Sequence, residues 1–260
     1  WWDKNNKIWF TKEINKSCKL YEYSEGDLKT ELLAVYNKLN QNIQDSHASN
    51  PSEDVNIPSP EGLQYLPFQK AGIQFASKRN SVLIGDDMGL GKTIQVIGTI
   101  NLNESIKKIL IICPASLKYN WKKELEKWLV RNYSISIVNS NDEFPNSDIV
   151  IINYDIVAKF RSQIDSYNWN LLVCDEVHYL KNLKTKRTKS ILGNEENLSA
   201  IKSDKRVFLT GTPIVNRPIE LWPIVNFLDS ETFKNYSYYA KRYCAAHHNG
   251  WGWDVSGASN

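Results

Sequence analysis

The sequence lacks any apolar run approaching the roughly 20 residues that a membrane-spanning helix needs. Its first residues also lack the basic-then-apolar order of a secretory signal peptide. Cysteines are few, four in 260 residues, and their positions do not indicate disulfide pairs. Cys113 and Cys174 end apolar runs and are interpreted as small buried hydrophobic residues. We therefore expect an intracellular protein in a reducing compartment, without membrane association.

The sequence also has little net charge, +3 at pH 7, which is too little to indicate nucleic-acid binding by itself. Basic residues are nevertheless concentrated in two places. The first cluster is Lys118, Lys122, Lys123 and Lys127, and the second is Lys181, Lys184, Lys186, Arg187 and Lys189. For either cluster, a solvated helix face is the alternative to a functional surface.

What the sequence does contain is a series of short apolar runs, mostly β-branched, with polar or turn residues on either side. These runs are 82–84, 109–112, 135–138, 149–152, 171–173 and 207–209. Apolar residues at helical spacing lie between many of them, as in 94–102 and 117–129. Strands alternating with helices predict an α/β fold, with a mostly parallel central sheet flanked by helices in three layers. Ligands of such sheets bind at the carboxyl ends of the strands.

The amino-terminal part differs in composition from the rest and predicts a separate small appendage. Residues 1–45 combine a predicted hairpin, with an Asn-rich turn at 3–7, and a predicted helix with an apolar face around Leu28, Leu32 and Leu39. Residues 46–60 are polar and Pro-containing and are interpreted as a linker. Residues 61–260 then form the main α/β domain.

The strongest functional pattern is Gly89-Leu90-Gly91-Lys92-Thr93, directly after the first apolar run and before a helical pattern. In a phosphate-binding loop, small residues let backbone N–H groups face the β-phosphate, a Lys reaches the β and γ oxygens, and a hydroxyl binds Mg²⁺. Gly89, Gly91, Lys92 and Thr93 match these needs. The usual first Gly is replaced by Asp86. A chance Gly-Lys-Thr is the alternative, which the flanking strand and helix disfavour.

Two adjacent carboxylates end the fifth apolar run. Hydrolysis of a phosphoanhydride needs one carboxylate to hold Mg²⁺ and another to orient the attacking water. Asp175 suits the first role and Glu176 the second, and both lie at the sheet edge where the phosphate loop is expected. The alternative is an acidic strand end that only caps a loop.

A third pattern follows the last apolar run. Thr210, Gly211 and Thr212 place two hydroxyls around a glycine on a tight turn. Such a turn could sense the γ-phosphate through Glu176 or His178, although as an isolated motif it would more often be an ordinary turn.

Together these segments resemble superfamily-two helicases of the Swi/Snf type. The matching segments, in the order of that family, are 86–95, 175–178, 180–182 and 209–213. Asp87 and Val177 depart from the family's usual Glu and Ala, whereas Asp86 at the first loop position is usual there. The resemblance implies the amino-terminal RecA-like lobe of an ATP hydrolase that uses ATP and Mg²⁺.

The resemblance also implies roles for individual residues. The catalytic set is Lys92, Asp175, Glu176 and His178, and Mg²⁺ is held by Thr93 and Asp175. The nucleotide contacts are Gln69, Asp86, Gly89, Gly91, Lys92, Thr93, Thr210, Gly211 and Thr212, with Gln69 reading the adenine edge. DNA phosphates are contacted by Ser116, Lys118, Tyr154, Lys181 and Asn182.

The carboxyl-terminal segment resembles one particular branch of this family. Residues 242–244, 251–254 and 256–260 are similar to the annealing-helicase (HARP) branch, whose members rewind branched DNA. The expected function is therefore a DNA-dependent ATPase that translocates on, or re-anneals, double-stranded or branched DNA. A superfamily-two RNA helicase lobe and a nucleic-acid-binding module without hydrolysis remain alternatives.

The resemblance further implies a second RecA-like lobe, which supplies arginine residues to the ATP. No such lobe is included in these 260 residues, and we expect one in the whole protein. We expect a monomer that contacts DNA through its phosphates. Its location would be the cytoplasm or nucleoid of a bacterium or virus-infected cell, or the nucleus of a eukaryote.

Overall fold

The structure is a computed structural model that describes residues 2–3, 8–9, 17–52, 55–194, 198–213 and 217–259. Its strands are β1 (Trp2–Asp3), β2 (Ile8–Trp9), β3 (Ser81–Ile84), β4 (Ile109–Cys113), β5 (Ile135–Ile137), β6 (Ile149–Asn153), β7 (Trp169–Cys174), β8 (Ser203–Leu209), β9 (His247–His248) and β10 (Trp253–Asp254). Its α-helices are α1 (Gly26–Ser46), α2 (Pro67–Ser77), α3 (Lys92–Leu102), α4 (Lys118–Trp128), α5 (Arg161–Asp165), α6 (Lys186–Leu192), α7 (Trp222–Leu228) and α8 (Tyr236–Tyr243). Short 3₁₀ helices cover Cys18–Tyr23, Ala115–Leu117, Tyr154–Ile156, Val177–Leu180 and Pro218–Leu221.

Six strands form one central sheet in the order β3-β8-β7-β4-β6-β5, and every neighbouring pair is parallel. Each of the six predicted apolar runs is one of these strands. Because the strands are parallel, their carboxyl ends lie along a single edge of the sheet. The segments that follow β3, β8 and β7 are therefore neighbours, and those that follow β4 and β6 come next along the same edge.

Both faces of the sheet are covered by helices, because successive residues of its central strands are buried in two different apolar clusters. In β4, Ile109 and Ile111 lie in one apolar cluster, whereas Leu110 and Ile112 lie in the other. The first cluster includes residues of α2, α3 and α4, and the second includes residues of α5, α6 and α7. The predicted three-layer α/β fold with a mostly parallel central sheet is confirmed.

The amino-terminal part forms its own small elements beside this domain. β1 pairs with β2 antiparallel, as expected for the hairpin, while its proposed turn lies outside the described residues. The end of α1 is attached to the main domain by Arg79, which donates to Asn42 at 2.8 Å and to Asp45 at 3.4 Å.

The segment interpreted as a linker contains no helix or strand in its described residues after Ser46, where α1 ends. It is nevertheless packed against the domain, because Ile57 is buried in the first apolar cluster. Both the backbone N–H and the hydroxyl of Ser52 donate to Gln74 Oε1. Among the described helices, none has both the length and the apolar character to cross a membrane.

Candidate functional site

The loop between β3 and α3 has the backbone of a phosphate-binding loop. Gly89 and Gly91 both have positive φ, 85° and 75°, a conformation that glycine adopts without a Cβ penalty. Gly91 immediately precedes α3, so the helix amino terminus, with its free N–H groups, opens onto the loop. Lys92 Nζ donates to the carbonyl oxygens of Asp86 at 2.7 Å and Asp87 at 3.0 Å, so its ammonium lies across the loop.

Two buried glutamines, Gln69 and Gln95, form hydrogen bonds with this loop. Gln95 Nε2 donates to Asp86 Oδ2 at 2.7 Å, which ties the first loop position to α3. Gln69 Nε2 donates to the carbonyl of Leu90 at 3.3 Å, and a Cβ added to Gly91 would lie 2.6 Å from the same nitrogen. The glycine is therefore required both by its φ and by the close approach of Gln69.

Gln69 was predicted to contact adenine, and its surroundings give it a second role. Its side chain is only 5% exposed, and its Oε1 accepts from the backbone N–H of Leu66 at 3.0 Å, at the start of α2. The amide therefore connects α2 to the phosphate loop, and the adenine contact stays a prediction. Gln95 was not assigned a role from the sequence, since a glutamine in the first turns of a helix is not by itself distinctive.

The acidic pair follows β7 directly. Asp175 is 7% exposed, and burial raises its pKa, an effect opposed by hydrogen bonds and by the charge of Lys92. The phosphate loop and this carboxylate follow β3 and β7, which both neighbour β8, so they lie at the same edge of the sheet. Asp175 Oδ1 accepts from the N–H of Glu176 at 2.9 Å, and Oδ2 accepts from Trp121 Nε1 at 2.8 Å.

Glu176 has an unusual backbone conformation, with φ 52° and ψ 53°. Left-handed backbone is strained for a non-glycine residue and occurs mainly where the surrounding structure enforces it, often at functional sites. Its Oε2 lies 3.3 Å from His178 Nδ1, and both side chains are partly exposed. The Glu176 side chain is 22% exposed beside the buried Asp175, although its Oε2 is buried next to His178.

The turn after β8 lies against the phosphate loop. The N–H of Thr212 donates to Thr210 Oγ1 at 3.1 Å, which closes the turn. A Cβ added to Gly211 would lie 2.7 Å from Met88 Cγ and 3.5 Å from Lys92 Nζ, so the glycine permits this close approach. The third predicted motif is therefore in contact with the first.

The donor set fits Mg²⁺ bound together with a nucleotide. Within the described ranges, no three His, Cys, Asp or Glu side chains come together as a metal-ion cluster. Magnesium does not need one, because it is usually held by one or two carboxylates together with substrate phosphates and water. Asp175 and the hydroxyl of Thr93 could supply the protein oxygens, and the free N–H groups at the start of α3 could face the phosphates.

The comparisons with known proteins agree with this site. A family model described as the SNF2-related domain matches residues 9–250. The chain belongs to this family.

Curated relatives include the SWI/SNF-related matrix-associated actin-dependent regulator of chromatin subfamily A-like protein 1 of Xenopus tropicalis, which is 36% identical over 216 residues, 81% of this chain and 22% of the relative. The human DNA annealing helicase and endonuclease ZRANB3 is 35% identical over 218 residues, 78% of this chain and 20% of the relative. The chain thus spans about a fifth of the length of these relatives.

Among solved structures, the Sulfolobus solfataricus SWI2/SNF2 ATPase core in complex with dsDNA matches with a TM-score of 0.61 and 27% identity, over 74% of this chain and 42% of that one. The SNF2-related family and its RecA-like fold, both predicted from the motifs, are confirmed.

In this SNF2-related domain, three of the five predicted DNA contacts lie at the surface or near it. Ser116 is exposed in the 3₁₀ turn after β4, and Asn182 is exposed after Val177–Leu180. Lys181 is partly exposed and forms an ion pair with Glu220 at 3.1 Å.

The other two predicted DNA contacts point into the protein. Lys118 is 6% exposed, and its Nζ donates to the carbonyl of Val138 at 2.9 Å and to Asn139 Oδ1 at 2.8 Å. Tyr154 is 2% exposed, and its hydroxyl donates to the carbonyl of Asp175 at 2.8 Å. For these side chains the structure supports internal roles instead. Lys118 lies with Trp121 on the buried face of α4. Its positive charge had instead suggested a surface position.

Lys118 should therefore matter for stability. Changing Lys118 to Ala leaves the buried carbonyl of Val138 without its donor, at a cost of roughly 1–3 kcal/mol. Chemical denaturation should show this loss, whereas the exposed Lys123→Ala control on the same helix should be nearly neutral. Equal stability of the two variants would contradict the internal role.

Proposed function

We propose that this chain is the ATP-binding lobe of a DNA-dependent ATPase that translocates on, or re-anneals, double-stranded or branched DNA. One observation carries the proposal. The phosphate loop, the Thr210–Gly211–Thr212 turn and the Asp175–Glu176 pair follow three adjacent strands, β3, β8 and β7. Their reactive groups therefore meet at the edge where parallel sheets bind their ligands.

Each group has a distinct task in phosphoryl transfer. Lys92 would bind the β- and γ-phosphate oxygens, and Thr93 and Asp175 would hold Mg²⁺, which neutralises the charge developing on the phosphates. Glu176 would accept a hydrogen bond from the attacking water and orient it. His178 contacts Glu176, and Gly211 lies beside Lys92, so either segment could respond to the loss of the γ-phosphate.

The DNA surface is proposed on the next part of the same edge. Ser116 follows β4, which lies beside β7, and Lys181 and Asn182 follow the acidic pair. Hydroxyl, amide and ammonium groups at such turns suit phosphate oxygens and carry no sequence preference. The proposal is supported by a relative named a DNA annealing helicase and by a solved core in complex with dsDNA.

A second lobe is part of the proposal. The groups proposed to act on the phosphates all follow β3, β8 and β7 of this lobe. Arginine fingers contribute about 10³–10⁵ in rate in related phosphoryl-transfer enzymes. The 260-residue chain should accordingly bind ATP but hydrolyse it very slowly. We propose that the whole protein acts as a monomer in which this lobe and a second one close on the nucleotide.

Calorimetry on the 260-residue chain tests the nucleotide site directly. ATP should bind more tightly with MgCl₂ than with EDTA, and GTP should bind more weakly than ATP if Gln69 reads adenine. Absence of ATP binding by the folded chain would contradict the proposed function. Equal affinity for ATP and GTP would contradict only the proposed adenine contact of Gln69.

The DNA contacts can be tested through their salt dependence. Lys181→Ala should weaken binding to unrelated duplexes equally, and should lower the slope of log K against log salt by about 1. Lys29→Ala, an exposed change on α1, is the control. Fluorescence anisotropy at several salt concentrations measures both quantities. A loss confined to one DNA sequence, or none at all, would argue against a backbone-tracking surface.

A further inference from the structure

The carboxylate of Asp175 is held by donors on both of its oxygens. Trp121 Nε1 donates to Oδ2 at 2.8 Å, and the N–H of Glu176 donates to Oδ1 at 2.9 Å. Trp121 is 1% exposed and Asp175 is 7% exposed, so the indole is a partner that solvent does not replace easily. Each oxygen keeps further lone pairs, but the plane of the carboxylate is fixed.

We propose that Trp121 is a positioning residue of the magnesium site, and that its indole N–H holds Asp175 in the orientation that binds Mg²⁺·ATP. This inference rests on the proposed function. Donors that hydrogen-bond a metal-binding side chain orient it, and their removal typically weakens metal affinity about 10- to 100-fold. Hydrogen bonds to a charged group are also the stronger class.

The position of Trp121 on α4 also links Asp175 to the predicted DNA contact Ser116. α4 begins at Lys118, directly after the Ala115–Leu117 turn that carries the predicted DNA contact Ser116. A single rigid helix therefore connects that turn to the carboxylate.

A second aromatic contact reaches the same residue from the next strand. Tyr154, which begins the 3₁₀ turn after β6, donates to the carbonyl of Asp175. Asp175 is thus held by segments that follow two neighbouring strands.

The alternative is that Trp121 is only a large core side chain. The same helix offers a matched comparison in Trp128, which is also buried, at 6% exposed, and packs its ring 5.1 Å from that of Tyr65. Trp128 Nε1 has no hydrogen-bond partner among the described residues. Replacing either indole by phenylalanine removes similar apolar volume, but only the change at Trp121 removes a donor to Asp175.

Calorimetric titration of ATP into the 260-residue chain separates these readings. Trp121→Phe should weaken ATP binding in MgCl₂ by about 10- to 100-fold and leave binding in EDTA unchanged. Trp128→Phe should change neither. In an Asp175→Ala background, adding Trp121→Phe should cause no further loss. Equal effects of the two tryptophan variants, or an equal loss with and without Mg²⁺, would overturn the proposal.

A measurement on the unaltered chain decides the matter if Trp121→Phe does not fold. The nine tryptophans give nine indole N–H signals in a ¹⁵N-labelled sample. Adding Mg²⁺ to the ATP-bound chain should shift the Trp121 signal and leave the Trp128 signal in place. A stationary Trp121 signal would refute the inference, whereas failure of Mg²⁺ to tighten ATP binding at all would refute the proposed function instead.

Discussion

Changing Lys92 to Ala should abolish ATP binding by this chain. Lys92 Nζ lies across the phosphate loop and donates to the carbonyls of Asp86 and Asp87. It is the cation that the loop offers to the β- and γ-phosphates, and the N–H groups of α3 carry only partial charge. Calorimetry with Mg²⁺·ATP measures the loss.

Lys123→Ala is the control for this variant, because Lys123 is exposed on α4 and does not belong to the loop. It should bind ATP like the unaltered chain. The Lys92 variant should remain folded, since the two carbonyls that it releases belong to residues at the surface or near it. Unaltered ATP affinity in the folded Lys92→Ala chain would mean that nucleotide binds elsewhere.

Changing Glu176 to Gln should leave ATP binding intact and remove most of the turnover in a protein that carries this lobe and a second one. A carboxamide fits the same space and can keep the contact with His178, but it is a far weaker base toward water. General-base groups contribute about 10²–10⁴-fold to rate, and a loss of that size is expected. Steady-state ATPase assays with duplex DNA give the turnover rate, and calorimetry gives the affinity.

The matched control for Glu176→Gln is Glu126→Gln on α4, where the carboxylate is exposed and pairs with Lys122 at 3.8 Å. That variant should hydrolyse ATP at the unaltered rate. If Glu176→Gln did the same, the orientation of water would have to be assigned to another residue.

Much of the fold follows from sequence patterns that depend on local physics. The inner strands β4 and β6 are buried on both faces and appear as short β-branched runs, as in 109–112. The tight loop after β3 was predictable because its backbone has positive φ at 89 and 91, where glycine is favoured. The order of the strands was not predictable, because nothing local to β7 and β8 specifies that they lie between β3 and β4.

Side-chain roles were harder to predict for polar residues that lie at buried positions of a helix or turn. The charge of Lys118 suggests a surface residue. Trp121 lies three positions further along, on the same face of α4, and the Lys118 ammonium reaches a buried carbonyl. Tyr154 likewise follows a strand at the functional edge but turns its hydroxyl inward. The hydrogen bond between Trp121 and Asp175 joins residues 54 positions apart, which no spacing rule anticipates.

The central claim is that this lobe provides the nucleotide site of an ATPase driven by DNA. The most direct measurement is steady-state ATP hydrolysis by a protein containing this chain and the second lobe, with duplex DNA, with single-stranded RNA and with neither, beside the 260-residue chain alone. The account predicts turnover that rises strongly with duplex DNA, little response to RNA, and near-zero rates for the lobe by itself. Stimulation by RNA instead of duplex DNA, or full turnover by the isolated lobe, would contradict it.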